Sequence, residues 1–237
     1  MVPIPTSRLA LFAVFFLVAC AGYVDERIEN ALREALPRLV GPAERYDVTV
    51  RGANASGSRI DEVRAVGIRV QRPGAPVLAR IDVALIDVAV DRAERKVTSI
   101  GRAVVALHLH EQDLTDFLRR QQWVESATVR FSGADEITIE GRLGVSGLPA
   151  LSSPRAEVRG RLVPRGAQLL LRIEAIRLGD GTAPPLVRRL LEQTLNPIFD
   201  VADHAVPSQL DSVDAGAGEL VIRASGSDLS LRRAGGP

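Results

Sequence analysis

The chain has little of several residue types that carry specific chemistry. Among its 237 residues there is one cysteine, Cys20, so no disulfide can form within the chain. Aromatic residues make up only 4% of the sequence, and any interior must therefore be lined mostly by Val, Leu, Ile and Ala. Positive charge is not in excess, because 30 Lys and Arg residues stand against 29 Asp and Glu residues. A nucleic-acid partner consequently lacks its electrostatic basis, and we expect none.

Motifs of nucleophilic catalysis and of nucleotide binding are missing as well. The sequence has no GxSxG, no GxGxxG and no P-loop, and its serines cluster in turn-like segments. Acidic residues are spread over polar strand positions and turns, so no glycosidase pair can be singled out. We therefore expect no enzyme activity and no cofactor.

The stretch HLHEQD is the segment that most resembles a metal site. His108 and His110 are two residues apart on a predicted strand and share a face, with Glu111 and Asp113 close behind them. Zinc sites do use paired histidines with a carboxylate. In the alternative interpretation, His108 is an outward strand residue, His110 begins a helix, and the two carboxylates complement the dipole of that helix. We favour this alternative and expect no metal, because His204 is the only other histidine.

The N-terminal stretch LALFAVFFLVACAGYVDER resembles a lipoprotein leader. Its uncharged apolar run is shorter than the roughly 20 residues of a spanning helix. Residues 17–20, LVAC, resemble the bacterial lipobox, whose cysteine is acylated on sulfur before the leader is removed. We expect a signal peptide over residues 1–19, and a lipidated Cys20 with a short linker over residues 20–23. An ordinary secretory signal, or an uncleaved anchor with an incidental cysteine, is the alternative.

Apolar residues recur at helical spacing in three segments. The first is YVDERIENALREALPRLVG, and we expect this helix to end at Gly41 and Pro42. A second, short helix follows a strand and carries Leu114, Phe117 and Leu118 on one side. The third covers APPLVRRLLEQTLN, where the prolines suit the first turn of a helix.

Elsewhere the apolar period changes to two. Runs such as ATVRF, EITIEGRLGV, AEVRGRLV and QLLLRIEAIRL are separated by turn residues, which indicates antiparallel hairpins. In ARIDVALIDVAVDR the apolar set changes parity between Leu85 and Ile86, which predicts either a bulge there or cover on both faces. Roughly nine or ten strands and three helices predict an α+β fold with a large antiparallel sheet. One sheet face is polar, and the helices are the candidates to cover the other.

Four segments, taken in order, carry a resemblance to a known family. They are IxxALxxxLPxLVG in the first helix, LHLHEQDLTDFLRR, the hairpin VRFSGADEITIEG, and LLEQTLNPIFDV before a Gly-rich last hairpin. Together they resemble the LmeA-like phospholipid-binding family of bacterial envelope proteins, from about Val24 to Leu231.

The resemblance implies a curved, mainly antiparallel sheet rolled around amphipathic helices, similar to half of the tubular lipid-binding proteins. It also implies phospholipid held in an apolar groove or cavity outside the cytoplasm. His110 departs from the family, which often has Thr or Ser there, and no catalytic residue is carried over. The family's acidic helix start and the segment before its last strands map onto Glu111, Asp113, Leu114 and Phe117, and onto Asn196, Pro197, Ile198 and Phe199.

The leucine stripes of the helices allow two interpretations. They either close a solid core over the sheet, or they form one wall of an elongated apolar cavity that accepts acyl chains. The resemblance favours the cavity. The predicted lipid-binding set is then Leu32, Leu36, Leu114, Phe117, Leu118, Leu186, Leu190, Leu191, Ile198 and Phe199.

The functional hypothesis is a lipid-anchored envelope protein that faces the periplasm or the cell exterior. It binds phospholipid in an apolar cavity and serves envelope assembly or maintenance, carriage of lipid being one way to do so. A single lipid-binding domain covers residues 24–231, with a flexible tail over residues 232–237. The expected partners are phospholipid and, through the anchor, a membrane. The alternative is a non-enzymatic scaffold or interaction lipoprotein with a solid core and no ligand.

The lipobox interpretation predicts how the chain is processed. Inhibition of signal peptidase II should leave an uncleaved precursor, because that peptidase acts on the acylated form. A Cys20→Ser variant should likewise accumulate as precursor and take up no radiolabelled fatty acid. Both results are visible on a gel, and normal processing of the variant would contradict the interpretation.

Overall fold

The structure is a computed structural model, which describes seven segments of the chain: residues 21–54, 56–91, 96–122, 124–133, 135–143, 155–200 and 209–230. The predicted signal peptide, Cys20 and the predicted tail lie outside the described residues. Three α-helices lie in the three segments where the apolar period predicts them, and the first begins at Ala21, within the predicted linker. They are α1 (Ala21–Leu39), α2 (Glu111–Arg119) and α3 (Pro185–Leu195).

The described strands form two antiparallel sheets. The first sheet, in the order β1-β2-β3-β4-β12-β11, contains β1 (Arg45–Ala53), β2 (Arg59–Val70), β3 (Leu78–Asp91), β4 (Lys96–His110), β11 (Gln209–Gly216) and β12 (Glu219–Ser230). The second sheet, in the order β10-β8-β7-β6-β5 with β9 also paired to β8, contains β5 (Val124–Ser132), β6 (Glu136–Leu143), β7 (Arg155–Arg165), β8 (Gln168–Leu178), β9 (Gly181–Thr182) and β10 (Phe199–Asp200). The predicted antiparallel pairing is confirmed, and the architecture is consistent with the α+β class. The strands divide between two sheets instead of forming one.

The two sheets meet where β11 of the first sheet contacts β7 and β5 of the second. The backbone N–H of Leu210, at the start of β11, donates to the carbonyl of Gly166 in the β7–β8 turn. Buried side chains from both sheets and from all three helices belong to one hydrophobic cluster. The core is therefore continuous from one sheet into the other.

Helix α2 runs along β5, the edge strand of the second sheet. Glu111 Oε1 accepts the backbone N–H of Phe131 at 2.5 Å, and Thr115 Oγ1 accepts the backbone N–H of Val129 at 2.9 Å. Arg119 Nε donates to the carbonyl of Ala127 at 2.9 Å. The three side chains are four residues apart and so share one face of the helix. We refer to Glu111, Thr115 and Arg119 as the edge stripe.

Helix α3 covers the opposite edge of the second sheet in the same way. Between its short pairings with β9 and β10, strand β8 has an open edge. Arg188 Nη2 donates to the carbonyl of Glu174, and Glu192 Oε1 accepts the backbone N–H of Ile173. Four residues further on, the side-chain amide of Asn196 both accepts from and donates to the backbone of Leu171. The polar side chains that contact β8 are therefore again four residues apart.

Helix α1 repeats the arrangement on β1, an edge strand of the first sheet. Glu29 Oε1 accepts the backbone N–H of Val50 at 2.8 Å, and Asp25 Oδ1 accepts that of Ala53 at 3.3 Å. Proteins commonly cover exposed strand edges to prevent pairing with other chains. Among the described residues, each helix therefore lies along a strand edge, and none is seen enclosed by a single rolled sheet as the resemblance implied.

The parity change in β3 takes place at Asp87, whose φ of +54° is left-handed. Leu85 and Val88 are both buried, and Asp87 between them has no Cα partner in either neighbouring strand. A Cβ atom at Gly101 of β4 would approach Asp87 Cβ to 2.9 Å, so the close approach of β4 to Asp87 requires glycine at position 101. The pairing keeps its register across this point. The apolar residues on both sides of the irregularity consequently face the same core, while Ile86 is exposed.

A tyrosine closes the connection from α1 to β1. The hydroxyl of Tyr46 donates to the carbonyl of Gly41 at 2.7 Å, and its ring covers Gly67, its cross-strand partner. A Cβ atom at Gly67 would lie 2.7 Å from the Tyr46 ring. The tyrosine thus fixes the end of α1 relative to the first sheet.

A Thr115→Val variant tests the role of the edge stripe. It keeps the shape of the side chain but leaves the buried N–H of Val129 without an acceptor, which should lower the free energy of unfolding by about 1–3 kcal/mol. Urea denaturation measures this. Thr49→Val, at an exposed position of β1, is the matched control and should change stability by less than about 0.5 kcal/mol. Equal effects of the two variants would contradict the edge-stripe interpretation.

A second prediction concerns alkaline pH. Burial raises the pKa of Tyr46 to about 12. Between about pH 10, where a free tyrosine titrates, and the raised pKa, the unfolded chain loses a proton that the folded chain keeps. The free energy of unfolding should therefore fall as pH rises through this interval. In a Tyr46→Phe variant, urea denaturation at pH 9 and pH 11.5 should show a smaller fall, and an unchanged fall would refute the assignment.

Candidate functional site

A row of apolar side chains crosses the inner face of the first sheet. Strand pairing aligns one residue from each strand, in the order Val48, Ala65, Val83, Val105, Ala224 and Leu210. The outer four are buried, but the two in the middle are only partly buried. We refer to Val83 and Val105 as the central valine pair.

The partial exposure of the central valine pair is unusual for its position. Ile81 and Leu85 on β3, and Ala103 and Leu107 on β4, point to the same side of the sheet and are buried. The inner face is therefore accessible at its middle and closed around it. Alanines at positions 65, 103 and 224 beside the pair keep the adjacent side chains small. An aliphatic surface of this kind can contact an alkyl chain and offers it no hydrogen bonds.

The predicted lipid-binding set is distributed over three sites in the structure. Helix α1 packs on β1, α2 on β5 and β4, and α3 on β8, so each leucine stripe packs beside a different strand edge. Leu186 is 76% exposed at the start of α3, and the Leu190 side chain lies outside the described part of the structure. The other eight belong to the hydrophobic cluster or pack against it: Leu32, Leu36, Leu114, Leu118, Leu191 and Phe199 are buried, and Phe117 and Ile198 are partly buried.

The HLHEQD segment belongs to a chain of charged and imidazole groups on the outer face of the first sheet. His108 Nδ1 lies 2.9 Å from Glu219 Oε1, and His108 Nε2 lies 3.3 Å from Asp82 Oδ2. His110 Nε2 is 3.8 Å from the same Glu219 oxygen. No group of three or more His, Cys, Asp or Glu within the described segments could hold a metal ion. The outward position predicted for His108 is what the structure shows.

The acidic residues of this segment have individual partners. Glu111 belongs to the edge stripe, and the buried Asp113 forms an ion pair with the partly exposed Arg69 of β2. Arg69 has a left-handed φ of +53° within its strand. Asp113 Oδ2 has no hydrogen-bond partner among the described residues, and His110 Nδ1 is 3.8 Å away from it. Helix α2 is thereby connected to both sheets, through Arg69 to the first and through the edge stripe to the second.

A polar pocket with a volume of about 320 Å³ lies along the junction of α2 and β5. It contains the edge stripe, two outward residues of β5, Thr128 and Arg130, and the end of β4. Neither the Thr128 hydroxyl nor the Arg130 guanidinium has a side-chain partner in the described part of the chain. The lining residues are His110, Glu111, Gln112, Thr115, Arg119, Thr128, Val129, Arg130 and Gly218.

Sequence reasoning missed both surfaces for different reasons. The central valine pair has the same alternating pattern as the buried valines around it, so no local signal marks it. The polar pocket did have a signal, because Glu111, Thr115 and Arg119 recur every four residues beside an apolar stripe. Such spacing indicates a second, polar contact face on the same helix.

The helices of the described chain include none that is long and apolar enough to cross a membrane. A family model described as LmeA-like phospholipid-binding matches residues 18–225. No curated protein and no solved structure matches the chain.

Proposed function

Because the chain belongs to the LmeA-like phospholipid-binding family, we propose that it binds phospholipid by packing acyl chains against the central valine pair. Membership of the family indicates lipid binding in general terms. The partial exposure of Val83 and Val105, between buried neighbours in the middle of the apolar inner face, is the observation that supports this particular site.

Burial of apolar surface is the driving force expected at this site. Removing such surface from water is worth about 25 cal/mol per Å², so an accessible apolar strip inside a buried face favours an apolar ligand. Lipid chains need no specific polar groups, and the row that contains the central valine pair supplies only aliphatic side chains. The proposal includes no catalytic step, in keeping with the description of the family as lipid-binding.

Membrane anchoring and a role in the cell envelope are part of the same proposal. Cys20 would carry the lipid anchor, and α1 begins at the following residue. Asp25, which bonds to the end of β1, is four residues from Ala21, the first residue of α1, and therefore about 6 Å along the helix. An acylated Cys20 would hold this end of the first sheet close to the membrane, where lipid could be exchanged for envelope assembly or maintenance.

The alternative is a scaffold or interaction lipoprotein with a solid core. It is supported by the burial of six members of the predicted lipid-binding set, which leaves no space against those side chains. In that case the central valine pair would contact only protein, and a larger side chain there would be destabilising.

A Val105→Trp variant separates the two functions. The full-length chain is reconstituted in vesicles that contain a phospholipid with a photoactivatable acyl chain, irradiated, and digested for mass spectrometry. Crosslinks should map to peptides around Val83 and Val105, because these residues contact the acyl chain. The variant should lose most of the crosslinking at an unchanged unfolding temperature, because the tryptophan occupies the ligand's place.

Val104→Trp is the matched control, since residue 104 is adjacent in β4 and points to the other face of the sheet. It should leave the crosslinks at native level. A solid core would give a different result, with no crosslinks in the native chain and a loss of about 1–3 kcal/mol of stability in Val105→Trp from overpacking.

A further inference from the structure

We infer that the polar pocket between α2 and β5 binds the headgroup of an aminophospholipid, a phosphodiester that bears a primary amine. This inference rests on the proposed function and identifies the class of lipid. It is carried by the order of charged groups along the pocket. The volume of the pocket, about 320 Å³, lies within the range of small-molecule sites, about 300–1,000 Å³.

The pairing of α2 with β5 fixes the order of these groups. The side chains of Glu111 and Thr115 accept hydrogen bonds from the backbone N–H groups of Phe131 and Val129. The Arg119 side chain donates one to the carbonyl of Ala127. Glu111 and Arg119 are therefore separated by eight residues, or about 12 Å along the helix axis. The carboxylate lies at one end of the pocket and the guanidinium at the other.

The two outward residues of β5 lie between these ends. Arg130 lies between Phe131 and Val129, and Thr128 between Val129 and Ala127, with both side chains lining the pocket. Arg130 and Arg119 thus provide two guanidinium groups on either side of the Thr128 hydroxyl. Guanidinium groups bind phosphate oxygens through charge-assisted hydrogen bonds, often two at a time.

The donors needed for phosphate are largely available. Arg119 Nε donates a hydrogen bond to the carbonyl of Ala127. Its Nη1 is 3.9 Å from Asp116 Oδ1, which is beyond hydrogen-bond distance. Arg130 forms no ion pair or side-chain hydrogen bond with another described residue. A cation left without a partner beside a concave surface is suited to an anionic ligand.

Glu111 determines which phosphodiester fits. Its Oε1 is occupied by the N–H of Phe131, whereas no described group donates a hydrogen bond to Oε2. A simple anion would be repelled by this carboxylate, but an amine on the same headgroup would be attracted to it. Two arginines and one carboxylate are complementary to a zwitterion of one phosphate and one ammonium.

The experiment measures binding of three soluble probes to the full-length chain by calorimetry. They are dihexanoyl phosphatidylethanolamine, dihexanoyl phosphatidylglycerol, and glycerophosphoethanolamine, which has the headgroup but no acyl chains. Arg130→Gln should weaken the binding of all three by about tenfold, as expected for a lost charge-assisted hydrogen bond. Arg172→Gln, at an exposed position on another strand of the same sheet, should change none of them.

Glu111→Gln tests the amine. Its amide oxygen can still accept the N–H of Phe131, so the edge bond is retained while the charge is removed. Binding of the two ethanolamine probes should weaken several-fold, and binding of the phosphatidylglycerol probe should stay the same or strengthen. Equal weakening of all probes, or no change, would overturn the assignment of the amine.

The outcomes separate this inference from the proposed function. If Arg130→Gln binds every probe like the native chain, the headgroup site is wrong, whatever Val105→Trp does. If Val105→Trp binds the two lipids like the native chain while Arg130→Gln loses glycerophosphoethanolamine, the acyl-chain site is wrong and the headgroup site stands.

Discussion

The free edges of the two sheets are the constraint on which the described structure depends. An edge strand presents a row of backbone N–H and C=O groups that lack a partner strand. In this protein each helix lies along such an edge, on β1, β5 or β8, and bonds to it through side chains spaced by four residues. This spacing places the polar contacts on one helix face, beside the apolar stripe that enters the core.

Helix α2 is connected to both sheets. It follows β4 without a break, and its first N–H donates to the carbonyl of Gly218 in the β11–β12 turn. The ion pair of Asp113 with Arg69 connects it to β2, and the edge stripe connects it to β5. The nine residues of α2 therefore connect the two sheets at this junction, and four of them, Glu111, Gln112, Thr115 and Arg119, form one side of the polar pocket. The position of the pocket follows from the way in which the edge is covered.

Local patterns were sufficient to predict the elements but not their assembly. All three helices lie where apolar spacing predicts them, and the parity change in β3 does mark an irregular residue, Asp87, two positions beyond Leu85. Strand β11 has only a weak alternating pattern, and its hairpin with β12 was expected from the family resemblance alone. The division into two sheets depends on pairings between distant segments, such as β4 with β12, which no local period encodes.

The candidate site was harder to predict than the fold. The leucine stripes are apolar because they enter the core, and the same pattern would arise at a cavity wall. Glu111 was interpreted through the helix dipole, whereas its contact is the N–H of Phe131, twenty residues away. The central valine pair differs from its buried neighbours only in exposure, which depends on what lies opposite.

The four-residue spacing of the edge stripe also determines which changes in chain length α2 can accept. Each residue of an α-helix turns the chain by about 100°. A single insertion between Glu111 and Arg119 would therefore rotate one end of the stripe away from β5 and bring apolar side chains to that edge. Substitutions at the outward positions Gln112 and Asp116 leave the stripe in place. This helix should thus tolerate different residue types on its outer side, but it should not tolerate a change in its length.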